Sequence, residues 1–367
     1  MSLHAPSKNI LVLAKYGTLA ASVRQRFLLY SPFLAKQNIE LTVSPLFDND
    51  YLSLRFATGR ATIASVVRSY MRRVKALLAA HRYDLVMIHY DALPYFPAAF
   101  ERLLMRTKIK YIYDYDDASF HQYNLSSNPI VRFFLGTKIA SVVKAASLVF
   151  AGSPYLIDYA KNKNTNLVYV PTVVDTELYL LKKHTNSNER LVIGWIGSPS
   201  TTKYLQALIS TIADSSGGKK IKLIAIGATP FPIDDVRCEV EFRKWSEETE
   251  VSDMLECDIG IMPLTDTPWS RGKCAFKLIQ YMACGLPVVA SPVGANVKVV
   301  TEDVGILAST PQQWREAFET LAASPDLRAR MGIAGRMLVE EQYSLKSTAP
   351  IFHQSIVEML QRGGEGE

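Results

Sequence analysis

At 367 residues, with 48% hydrophobic and 21% charged residues, the chain is too long for one ordinary core and suits two domains of about 150 to 200 residues each. This balance excludes a disordered or fibrous chain, and no stretch reaches the roughly 18 consecutive apolar residues that a membrane span needs. The net charge of +6 is unevenly placed: residues 1–180 carry 21 Lys/Arg against 12 Asp/Glu, the remainder 20 against 23, so the first half is the basic one.

Short apolar runs alternate with longer helical patterns, which predicts parallel sheets wrapped by helices. In the first half strands are expected at 10–14, 41–44, 85–89, 111–113, 148–151 and 167–170. In the second they are expected at 191–196, 222–226, 238–242, 259–262, 287–290 and 304–307. Two sets of six predict two similar doubly wound α/β domains, 1–180 and 191–345. Residues 181–190, with Lys182, Lys183, Asn186, Ser187 and Asn188, have the polar composition of a linker. Helical patterns follow at 311–322, 327–342 and 349–361, and 346–367 is expected to form a helix crossing back to the first domain and a tail. Ligands of open α/β sheets sit beyond the carboxyl ends of the strands, so candidate residues are sought there.

The first such loop holds Gly17, which permits a tight turn, then Ser22 as a helix cap, Arg24 and Arg26. Two arginines in the opening turn of a helix oppose its dipole, which points to a ligand contact for one of them. Between Arg55 and Arg82 further cations interleave with Ile63, Val66, Val67, Met71, Val74 and Leu77 at helical spacing. This is either a helix with a solvated basic face or a surface that rests on anionic lipid. No recognition-helix, zinc or aromatic-stacking signature accompanies these charges, so nucleic acid is not expected as a partner. Asp114, Asp116 and Asp117 end a strand, as a solvated acidic loop or as part of a site. His89, ending its own strand, is expected to be structural.

In the second half Gly194-Trp-Ile-Gly197-Ser198 leads from a strand toward Lys203. Trp245 follows the third strand, either as a packing residue or as part of a site. Residues 269–296 then read as loop, helix and strand. Lys273, Lys277 and Gln280 at i, i+4 and i+7 fall on one helix face, and two lysines in the first turns oppose the dipole unless an anion compensates them. Cys238, Cys257, Cys274 and Cys284 form no Cys-x-x-Cys pair, which argues for free thiols in a reducing compartment. With only a short, strand-length apolar run near its start, the chain reads as cytoplasmic, with the inner face of a membrane as a possible resting place.

The run Lys277-Leu-Ile-Gln-Tyr-Met-Ala-Cys-Gly-Leu-Pro-Val-Val-Ala-Ser291 closely resembles the nucleotide-binding segment of retaining glycosyltransferases of family 4 (glycosyl transferases group 1). Those enzymes have the GT-B fold, two Rossmann-like domains facing a cleft. The resemblance covers most of the chain, most strongly between residues 191 and 300. It implies a nucleotide-sugar donor held by the second domain and a glycan or lipid-linked acceptor on the first. It also implies retention of anomeric configuration, a role in cell-surface polysaccharide or glycolipid synthesis, and no cofactor or metal.

The family has two glutamates eight positions apart; here Gly272 and Gln280 stand in those places. Gln280 can still accept a ribose hydroxyl through its amide oxygen. The resemblance assigns donor binding to Gly197, Ser198, Lys203, Arg271, Lys273, Phe276, Lys277 and Gln280, with the lysines on the diphosphate. Gly17, Arg24 and Arg26 correspond to the cleft-facing first loop. Asp116 or Asp117 takes the catalytic place near the donor sugar, with His121 as second choice. Asp114-Tyr-Asp116 also matches the metal-binding Asp-x-Asp of the other glycosyltransferase fold, which two Rossmann-like halves disfavour. A nucleotide-sugar epimerase of the same fold, or a binding subunit without turnover, are the alternatives.

Overall fold

A computed structural model describes residues 7–99, 109–183, 190–215, 220–233 and 237–361. The chain divides into two compact units, Met1–Thr172 with Thr348–Glu367, and Val173–Ser347. Asn186, Ser187 and Asn188 of the expected linker, and residues 362–367 of the tail, lie outside the described residues.

Unit 1 is built on a six-stranded sheet of β1 (Lys8–Tyr16), β2 (Ile39–Phe47), β3 (Leu85–His89), β4 (Tyr111–Tyr115), β5 (Leu148–Ala151) and β6 (Leu167–Tyr169), in the order β2-β1-β3-β4-β5-β6. Every pairing is parallel. Strands covered by helices on both faces must be apolar on both, and Ile10 to Ala14 and Leu85 to His89 are buried without a break. The last helix, Leu345–Gln361, gives most of its length to this unit: Phe352 stacks on Tyr30 at 4.4 Å, and the Thr348 hydroxyl lies 3.0 Å from that of Tyr30.

Unit 2 repeats the plan with β7 (Arg190–Ile196), β8 (Lys220–Ile226), β9 (Cys238–Arg243), β10 (Ile259–Met262), β11 (Val288–Ala290) and β12 (Gly305–Leu307), in the order β12-β11-β10-β7-β8-β9. All five pairings are parallel. Residues 173–183 belong to this unit. Val174 bridges to Ser344, and the Lys182 N–H donates to the Cys284 carbonyl at 2.9 Å. Arg336 gathers the carbonyls of Thr176, Tyr179 and Ala283, satisfying a helix end and fixing the incoming chain together.

The strand order of unit 2 reverses between β7 and β10, which makes the space beyond their carboxyl ends the ligand position of such a sheet. Helix Phe276–Ala283 is tied to this place by Tyr281. Its hydroxyl accepts from the Ile196 N–H at 2.7 Å and donates to the Ile261 carbonyl at 3.3 Å. A side chain at Gly260 would put its Cβ 2.2 Å from the Tyr281 ring, so the glycine makes room for that tie.

Candidate functional site

At the end of β7 the chain turns at Gly197, and the ammonium of Lys277 comes to this turn from the facing helix. It lies 4.5 Å from the ring centroid of the buried Trp195. A Cβ at Gly197 would stand 2.2 Å from Trp195 Cη2 and 2.7 Å from Lys277 Nζ, so glycine is what allows lysine and indole to pack here. Burial, reinforced by the charge of Lys273, pushes the Lys277 amine down to about 7. Lys273 is partly exposed, and Lys203 is exposed with its ammonium 5.2 Å from the Tyr204 ring centroid. None of these three lysines has a carboxylate partner among the described residues.

The local backbone differs from the sequence expectation. The helix begins at Phe276, not before Lys273, because Ala275 adopts the left-handed conformation (φ 59°) and ends a separate short helix-and-turn, Pro268–Arg271 and onward. A left-handed alanine is strained, and such residues cluster where a site holds them. Lys277 and Gln280 therefore share the helix, while Lys273 reaches the site from the turn. Arg271 is not an open cation: its guanidinium holds Asp266 through two bonds of 2.6 and 2.9 Å. Gly272 is buried in the turn, and its N–H donates to the Trp269 carbonyl. Phe276 is partly buried against the core. Ser198 is exposed and takes part in the local turn, its N–H donating to Thr201 Oγ1 at 3.1 Å.

Gln280 is buried, and sequence reasoning missed its surroundings. Its amide nitrogen donates to the Tyr179 hydroxyl at 3.1 Å and to Glu250 Oε1 at 3.3 Å. The Tyr179 hydroxyl donates to Glu250 Oε1 at 3.0 Å, and Trp245 Nε1 donates to Glu250 Oε2 at 2.8 Å. Burial and the Glu250 charge push the Tyr179 phenol well above its ordinary value, so it stays a donor. Three side chains from distant parts of the unit, those of Tyr179, Trp245 and Gln280, thus converge on one buried carboxylate. Tyr179 and Glu250 carry no motif of their own; a Glu falling at the start of a helix after Trp245 was the available signal.

In unit 1 the sheet order reverses between β1 and β3. Of the two arginines, one of which was expected to contact a ligand, Arg26 is buried: it pairs with Asp114 and donates to the Val170 carbonyl. Burying a guanidinium requires a charge partner, and β4 supplies one because it extends to Tyr115, placing Asp114 inside the sheet. His89 is buried, with Nδ1 2.9 Å from Asp114 Oδ2. Burial opposes ionisation of Asp114, but Arg26 and His89 outweigh it and hold the carboxyl below its ordinary value. Asp116 is buried and accepts from the hydroxyls of Tyr90 and Thr172. Asp117 is partly exposed and accepts the Ala118 N–H at 3.0 Å. His121 lies between Asn124 and the Tyr155 hydroxyl.

Gly17 is packed against Asn49, whose Oδ1 would be 2.4 Å from a Cβ there, and Arg24 donates to the Thr18 carbonyl at 2.7 Å. Ala20, not Ser22, is the residue before this helix, and it makes no side-chain cap. Arg73 leaves the expected basic face altogether: it is buried, donating to the carbonyls of Ala14 and Ser44. The apolar stripe of helix Ile63–Leu78 is in turn largely exposed at Ile63, Val67, Met71, Val74 and Leu78. Among the described residues no group of three or more His, Cys, Asp or Glu side chains has the geometry to hold a metal ion.

Residues 190–324 match the family model of glycosyl transferases group 1. That span holds Lys203, Lys273, Lys277, Glu250 and Gln280. No curated protein sequence matches the chain. Solved structures similar to it include sucrose-phosphate synthase from Thermosynechococcus elongatus, with a TM-score of 0.71 at 13% identity, covering 97% of this chain and 100% of that one. The Anabaena protein Alr3699/HepE, solved in complex with UDP-glucose, gives 0.63 at 16% identity over 96% and 99% of the two chains. A glycosyltransferase from Rickettsia africae gives 0.67 at 12% identity over 99% and 100%. The fold is accordingly GT-B: two Rossmann-like units, each on a six-stranded parallel sheet.

Proposed function

We propose that this protein is a glycosyltransferase that moves a sugar from a nucleoside diphosphate sugar to a glycan or lipid-linked acceptor, with retention of configuration. The observation that carries the reading is the set of Lys203, Lys273 and Lys277, without carboxylate partners among the described residues, at the ligand position of a Rossmann-like sheet. Holding Lys277 close to neutrality is costly, and a diphosphate restores its charge by supplying the missing counter-ion. The match of residues 190–324 to the group 1 family and the UDP-glucose complex of the similar Anabaena protein support the same ligand class.

In this reading the three lysines and the first N–H groups of helix Phe276–Ala283 bind the diphosphate. As the bond from the anomeric carbon to the leaving oxygen lengthens, negative charge grows on the diphosphate, and these cations stabilise it. The oxygen of the Gln280 amide accepts a ribose hydroxyl. Unit 1 binds the acceptor, with Asp117, the more exposed of the expected pair, contacting a sugar hydroxyl and Asp116 supporting the local turn. The exposed stripe of Ile63, Val67 and Met71, flanked by Arg68 and Lys75, rests on an anionic membrane at the cytoplasmic face, where cell-surface glycans and glycolipids are assembled.

The test has two parts. Thermal unfolding with uridine, guanosine and adenosine diphosphates and their sugars identifies the donor, since a ligand at 100 times its Kd adds about 2.7 kcal/mol. Release of free nucleotide in the presence of acceptor extracts then separates a transferase from a binding subunit without turnover. Lys203→Ala and Lys277→Ala are each expected to cut turnover about tenfold or more. Unchanged rates in both variants, or no thermal shift with any nucleotide, would sink the assignment.

A further inference from the structure

The Glu250 carboxylate is buried, and among the described residues it has three neutral donors and no cation. Beyond packing, a buried carboxylate fixes the orientation of the donors around it, and that is the role it can play here. Two of its neighbours identify that role. A carboxylate accepts only, so the NH2 end of the Gln280 amide must face Glu250, and the amide oxygen is turned to the opposite side. On its other oxygen Glu250 takes the indole N–H of the partly exposed Trp245, which fixes the plane of that ring.

We propose that Glu250 is the positioning residue of a nucleoside pocket: it presents the Gln280 oxygen as an acceptor for a ribose hydroxyl and sets the Trp245 face as a platform for the base. The inference rests on the nucleotide-sugar reading above and deepens it. It also accounts for glutamine at position 280, because a second carboxylate there would stand within 4 Å of the first and repel it. The chain thus carries its one acidic group a layer deeper, on helix Glu250–Leu255, and an amide in front of it.

The experiment is calorimetric titration of the full chain with UDP and with 2′-deoxy-UDP, with GDP and ADP forms alongside. The wild type is expected to prefer the ribonucleotide about tenfold, the scale of one hydrogen bond. Glu250→Gln releases the amide orientation and brings that preference to within twofold of unity. Gln280→Glu alone sets a second carboxylate against the first, removes the donor that Glu250 holds, and weakens binding of both nucleotides. The double variant E250Q/Q280E restores an acid–amide pair in reversed order and recovers the ribose preference.

A lesion of packing alone would lower affinity for both nucleotides equally and would not be repaired by the exchange. Should Glu250→Gln fail to fold, the single Gln280→Glu variant and the double variant still decide the question. A ribose preference in Glu250→Gln within twofold of the wild type, or a double variant that binds UDP but shows none, overturns the positioning role and leaves the transferase reading standing. A wild type that binds UDP with no ribose preference does the same. A wild type that binds none of the nucleotides overturns both.

Discussion

Replacing Lys277 by methionine separates function from stability more sharply than any other single change. Methionine keeps an unbranched apolar stem against Trp195 but removes a cation that the protein desolvates. A lysine held at about 7 rather than 10.5 carries up to ~5 kcal/mol of disfavoured charge. Residual contact of this partly exposed side chain with solvent and the lost cation–π contact reduce the net gain to about 1–3 kcal/mol. For a unit of this size that is a rise in Tm of roughly 2–12 °C. The sign carries a second signature. Between pH 7 and 10.5 the folded state binds fewer protons at this position than the unfolded state, so the penalty is full below pH 7 and fades as pH rises toward 10.5. Thermal unfolding of wild type and Lys277→Met should therefore diverge most at pH 6 to 7 and converge near pH 10, while the variant loses its thermal shift with nucleoside diphosphates. A variant no more stable than wild type, or one whose advantage does not change with pH, refutes the argument that this lysine is kept strained for an anion.

Other outcomes follow from the same chemistry. Binding a diphosphate returns Lys277 to its charged form, so titrations at pH 8 in buffers of different ionisation enthalpy should show uptake of roughly 0.9 proton, falling to a small fraction at pH 6. Zero uptake at both pH values would mean that the anion does not reach this lysine. Asp114 has a lowered pKa, so its pairing with Arg26 stabilises unit 1 above the unfolded carboxyl value and is lost as pH falls through the folded one. Arg26→Met, which leaves that carboxylate buried with His89 alone, should cost about 3–5 kcal/mol in urea unfolding, whereas Lys203→Ala should leave stability unchanged within about 0.5 kcal/mol. Val67→Glu with Met71→Glu should abolish sedimentation with phosphatidylglycerol vesicles and spare nucleotide binding; retained sedimentation would remove the membrane from the proposal.

The inner strands could be read from the chain because helix-covered parallel strands are buried on both faces and so appear as uninterrupted apolar runs, as at Ile10 to Ala14 and Ile259 to Met262. The segment around Lys277 to Ser291 was equally readable, since its loop, helix and strand are local. Helix periodicity alone, however, extended the helix back to Lys273, because nothing in the residue types announces that Ala275 takes a left-handed backbone.

What only the tertiary structure decided is which charges are open. Arg26 read as one of two candidates for a ligand contact and Arg73 as part of a basic helix face, yet each is buried against acceptors brought to it from across the sheet: Asp114 and Val170 for the first, Ala14 and Ser44 for the second. The resemblance put Lys277 on a diphosphate; the fold adds that its ammonium lies over the Trp195 indole, where burial lowers its pKa. Gln280 read as a weakened substitute and stands in front of a buried glutamate thirty positions earlier. Apolar periodicity is a property of neighbours along the chain, so sequence determined the layers. Solvation and pairing of a charge depend on residues scores of positions away, so the site was decided by the fold.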